Sequence, residues 1–129
     1  MPWDRKERVL VVDDDPDALK TYTDILASEG YDVSTAADGE QALDRIDRCR
    51  PDVILLDVMM PGKDGIEVAR LLTQRHDTEN IPVVIITALN SFSVGSGLAG
   101  IPGIRRFLYK PCPTSQLIEG IRDALRSHD

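Results

Sequence analysis

The chain has 129 residues, 42% of them hydrophobic, and a formal net charge of −7. That is the size and make-up of one compact domain that buries a core without disulfides or a structural metal, and its acidity works against broad attraction to nucleic acid or an anionic membrane. No apolar run approaches the roughly 20 residues that span a bilayer, the polar opening MPWDRKER is unlike a signal peptide, and Cys49 and Cys112 form neither a CxxC pair nor a metal-binding set. A single cytoplasmic domain over residues 1–129, with a core of about 8–126 and reduced thiols, is therefore expected.

Short apolar runs alternate with helix-periodic segments along the whole chain. The first run, Val9–Val12, leads through Asp15-Pro16, a natural N-cap and first turn, into a helix with Ala18, Leu19, Tyr22, Ile25 and Leu26 at helical spacing and Gly30 as its stop. Tyr31–Ala36 alternates and suits an edge strand; Ala42, Leu43 and Ile46 mark the second helix. Val53–Leu56 is the third strand, and Asp64 and Glu67 in capping-box spacing begin a third helix carrying Ile66, Ala69 and Leu72. Val83–Ile86 is the fourth strand. The connection after it holds Gly95, Gly97, Gly100, Pro102 and Gly103, which predicts a short or mobile helix at best. Phe107–Tyr109 is the fifth strand, and after Pro113 the last helix presents Leu117, Ile118, Ile121, Ala124 and Leu125 on one face. Five βα units with right-handed crossovers give an α/β, flavodoxin-like, doubly wound parallel sheet, for which the strand order 2-1-3-4-5 is expected.

In such a sheet ligands sit beyond the carboxyl ends of the strands. Asp13 and Asp14 end the first strand, Asp57 the third, Thr87 the fourth and Lys110 the fifth, so polar side chains gather at one edge. Crowded carboxylates repel one another unless something positive joins them. Mg²⁺ answers that need, since it takes one or two carboxylates, keeps waters and leaves room for phosphate oxygens. Lys110 adds a compact second cation and Thr87 a hydroxyl donor. No Ser-His-Asp or Cys-His pairing is evident, and His76 and His128 read as surface residues. A carboxylate is itself a competent nucleophile for a phosphoryl group, with transfer helped by neutralising the phosphoryl oxygens.

The runs Val11-Val12-Asp13-Asp14-Asp15, Leu55-Leu56-Asp57-Val58-Met59-Met60-Pro61-Gly62, Ile85-Ile86-Thr87-Ala88 and Lys110-Pro111, in this order and spacing, resemble the response-regulator receiver domains of two-component signalling (CheY-like), from about Arg8 to Leu125. The resemblance implies that Asp57 is the phospho-acceptor and that Asp14 and Asp57 ligate Mg²⁺ directly, with Mn²⁺ as a substitute. Asp13 would act through a water and Met59 through its backbone carbonyl. It further implies that Lys110 pairs with the phosphoryl group, that Thr87 moves to hydrogen-bond it, that Phe107 is the switch aromatic, and that the bond to Pro111 is cis.

Implied partners are a sensor histidine kinase or histidine phosphotransfer protein upstream and a downstream protein or output domain, with no direct nucleic-acid or membrane contact. A phosphorylation-dependent homodimer belongs to the same expectation. The switching face would be the fourth helix, fifth strand and last helix, where Gly100–Arg106 departs from the family's usual turn and Arg105 and Arg106 replace residues that are often acidic or polar. Two rival readings fit the same residues. One is an interaction module that keeps the fold without phosphorylation. The other is an aspartyl-phosphate phosphatase of the haloacid-dehalogenase type, for which Asp13 and Asp15 fit but Asp17 stands where Thr or Val belongs.

Overall fold

The computed structural model describes residues 6–58, 65–88 and 101–126. Met59, Asp64, His128 and the greater part of the glycine-rich fourth connection, all singled out above, lie outside them. The elements run β1 (Arg8–Val12), α1 (Pro16–Ser28), β2 (Asp32–Ala36), α2 (Gly39–Cys49), β3 (Val53–Leu56), α3 (Gly65–Gln74), β4 (Val83–Thr87), β5 (Ile104–Tyr109) and a carboxy-terminal helix, here α4 (Thr114–Arg126). The strands form one parallel sheet in the order β2-β1-β3-β4-β5.

The unbroken apolar runs have a simple cause: successive side chains of a strand point to opposite faces, and here both faces are covered. Leu10, Val12, Ile54, Leu56 and Ile85 join Ala42 and Ile46 of α2 and Val68, Ala69 and Leu72 of α3 in one core. Val9, Val11, Val53, Leu55, Val84 and Ile86 join Tyr22 and Leu26 of α1 and Leu117, Ile121 and Ala124 of α4 in the other. β2, at the edge, is only partly buried, which matches its alternating sequence.

Helix starts follow the capping chemistry. The Asp15 side chain accepts from the Asp17 amide at 3.0 Å with Pro16 in the first turn, and Asp38 accepts from the Gln41 amide at 2.8 Å to start α2. Gly30, just past the end of α1, has φ +94°, a conformation glycine adopts at little cost. One boundary differs from the sequence reading: β5 begins at Ile104, three residues before Phe107. Arg105 and Arg106 interrupt the apolar run, but Ile104 pairs with Val83 and Arg106 with Val84, so the register slips by one residue there and passes over Arg105. Such a bulge comes from pairing between strands, not from local composition. No helix among the described residues is long and apolar enough to cross a membrane.

Candidate functional site

At the carboxyl edge of the sheet the hydrogen-bond ladder runs one rung beyond the strands. The Asp13 amide donates to the carbonyl of Ala36 at 3.1 Å, the Asp57 amide to Val12 at 2.9 Å, and the Lys110 amide to Thr87 at 2.9 Å. Each of these side chains is thus held by a neighbouring strand and does not hang on a free loop. Since β1 and β3 are in register at Val12 and Leu56, and adjacent strands lie about 4.8 Å apart, Asp13 and Asp57 come side by side.

Carboxylate oxygens of Asp13, Asp14 and Asp57 lie within 4.8 Å of one another. Asp13 and Asp57 are buried, while Asp14 stands on the open side. One oxygen of Asp13 accepts from the Asp15 amide at 2.9 Å, which turns the chain toward α1; the other accepts from Lys110 Nζ at 2.7 Å. The same ammonium donates to Asp57 Oδ2 at 3.2 Å. Three carboxylates therefore face one ammonium, which leaves two negative charges that Lys110 does not balance. At an effective dielectric of about 20, two carboxylate charges this close repel by on the order of 3 kcal/mol.

Burial alone would push Lys110 toward its neutral form. The hydrogen bond to Asp13 and the charges of Asp57 and Asp13 outweigh it, and the Lys110 pKa is raised above the ordinary lysine value.

This donor set fits a small divalent cation. All its atoms are hard carboxylate oxygens, the cluster carries excess negative charge, and the exposed Asp14 leaves one side open for waters and phosphate oxygens.

Of the residues singled out in the sequence, Asp13, Asp14, Asp57 and Lys110 come together in one cluster. Thr87 is buried at the tip of β4 and meets Lys110 through the main chain. Phe107 does not join them: it is 37% exposed on β5, opposite Ile85. The Lys110–Pro111 peptide is cis. Cys112 is free and packs at the margin of the core with α1 and α4.

Two residues near the site gave no signal of it in the sequence. Tyr22 reads as one apolar position of α1, yet burial raises its phenol, with Lys110 pulling the other way and Asp13 adding to the rise. Gly65 begins α3 directly against the main chain of Asp57 and Val58, which no local pattern foretells.

Residues 9–122 match the family described as the response regulator receiver domain. The DNA-binding response regulator MtrA of Mycolicibacterium smegmatis is 38% identical over 125 residues, covering 96% of this chain and 53% of MtrA. The response regulator PleD of Caulobacter vibrioides is 44% identical over 120 residues, covering 92% of this chain and 26% of PleD. The chain thus spans about half and about a quarter of the lengths of these relatives. Among solved structures, the Vibrio cholerae chemotaxis protein CheY4 superposes with a TM-score of 0.86 at 28% identity, covering 93% of this chain and 99% of that one.

Proposed function

The chain belongs to the response-regulator receiver family, and from that membership we propose that it is a phospho-accepting switch in which Asp57 takes a phosphoryl group in a Mg²⁺-dependent reaction. The observation that carries this reading is the convergence of Asp13, Asp14, Asp57 and Lys110 at one sheet edge. An Asp57 carboxylate oxygen attacks the phosphorus of the donor, either a phosphohistidine of a histidine kinase or phosphotransfer protein, or a small phosphodonor. The new O–P bond forms as the donor's P–N or P–O bond breaks, and the electron pair leaves with the donor.

Asp14 and Asp57, with the Met59 carbonyl, would ligate the cation directly. Both oxygens of Asp13 already accept, from the Asp15 amide and from Lys110, which supports a role for Asp13 at one remove, through water. A cation held there, Mg²⁺ or Mn²⁺ in its place, supplies positive charge to the phosphoryl oxygens. Lys110 pairs with the incoming group once its hold on Asp57 is exchanged, and the Thr87 hydroxyl donates to a phosphoryl oxygen. The added charge of about −1.5 to −2 biases the packing of β5 and its neighbours, with Phe107 moving as Thr87 moves. The switched face, with the fourth connection and α4, then acts on a downstream protein or an output domain, in the cytoplasm, as a single domain over residues 1–129.

The test is labelling with acetyl phosphate, or beryllofluoride as the non-transferable mimic, in Mg²⁺. One phosphoryl group per chain is expected by mass, with none on Asp57→Asn. Equal labelling of both chains, or none of either, rejects the proposal, and repeated turnover of a phosphate ester points to a phosphatase.

A further inference from the structure

We propose that Gly65 is a positioning residue of the acidic site, whose missing side chain sets where Asp57 stands relative to Asp13 and Asp14; the inference rests on the metal-binding reading above. A Cβ at position 65 would lie 2.6 Å from the Val58 Cα and 3.0 Å from the Asp57 carbonyl carbon, and against the Asp57 carbonyl oxygen as well. These neighbours are all main-chain atoms, so no side-chain rotation gives way. The backbone itself must move.

Gly30, Gly103 and Gly120 differ. Gly30 has nothing within 4 Å and serves its turn through φ. A Cβ at Gly103 would make ordinary contacts of 3.6 and 3.7 Å. At Gly120 it would press on the flexible Leu108 side chain, 3.2 Å away. Only at Gly65, among these, does the close approach involve the residue that carries the reaction.

The strain has few exits. On one side α3 is seated by Val68, Ala69 and Leu72 in the same core as Val58, so a retreat of the helix opens that core. On the other side the Asp57 amide is tied to the Val12 carbonyl, and the Gly65 amide donates to the Val58 carbonyl at 3.4 Å. Between two anchored bodies, the segment displaced most easily is the one that aims the Asp57 carboxylate. Residues that only orient a metal ligand typically matter by about 10- to 100-fold in metal affinity, and the same range applies here.

The experiment measures Mg²⁺ affinity by NMR titration of the 129-residue chain as wild type, Gly65→Ala, Gly120→Ala and Asp57→Asn, at a temperature where circular dichroism finds each folded. Gly65→Ala should bind about tenfold more weakly. Gly120→Ala should keep wild-type affinity even as its melting temperature falls. Wild-type affinity in Gly65→Ala, or an equal loss in Gly120→Ala, overturns the inference alone. A wild type that binds no Mg²⁺, like Asp57→Asn, overturns the parent reading along with it. If Gly65→Ala does not fold, amide exchange in the wild type decides: Mg²⁺ should slow exchange at Gly65 and leave Gly120 unchanged, and an unaffected Gly65 amide rejects the coupling.

Discussion

At Lys110 two effects oppose each other. Desolvation favours the neutral amine, while Asp13 at 2.7 Å and Asp57 at 3.2 Å favour the ammonium and win. The folded pKa is raised above the unfolded value of about 10.4. The stability that Lys110 contributes is therefore complete below that unfolded value, and it is lost only as pH climbs through the higher folded one. An NMR titration of the Lys110 Nζ should find it still charged at about pH 10.4; a midpoint at or below that value contradicts the pairing. Asp13, Asp57 and Lys110 were legible as candidates because each directly follows an apolar strand run, where a charge is out of place unless a ligand or partner meets it. Tyr22 and Gly65 were not, since their importance lies in what stands opposite them in space.

Among the elements, the start of α1 at Asp15-Pro16 was readable, because a cap is a local match between a side chain and amides two or three residues on. Asp38 is the clearest untouched case. It accepts from the Gln41 amide at 2.8 Å, while Gln41 Oε1 accepts from the Ala37 amide at 2.9 Å. Asp38→Ala should cost about 1 kcal/mol of unfolding free energy, read as a lower urea midpoint at an unchanged slope; an unmoved midpoint means the cap contributes nothing. β5 was legible in existence but not in extent. Its one-residue slip against β4 sets which residue of β5 stands opposite Thr87, and a shift of one residue would turn every following side chain to the other face. Nothing in Ile104-Arg105-Arg106 announces that slip, because register is a property of the pair of strands.

For the molecule as a whole, the proposed metal binding at the acidic edge would couple to stability. A cation that binds only the folded chain raises the unfolding free energy by about 2.7 kcal/mol at a hundredfold excess over its Kd, enough to lift the melting temperature by several degrees. Millimolar Mg²⁺ should produce such a rise in the wild type, and Asp14→Ala should blunt it. An undiminished rise in that variant would put the ion somewhere other than the cluster of Asp13, Asp14 and Asp57. The alternation of strands and helices, their parallel order and the edge that bears the charges follow from the sequence alone, since burial on two faces demands continuous apolar runs and crossovers have one hand. Tertiary structure alone decided that Lys110 grips Asp13 more closely than Asp57, that Phe107 stands exposed, and that α3 begins in van der Waals reach of the Asp57 main chain. Distances between residues remote in sequence depend on how whole elements pack, and no local spacing of side chains encodes them.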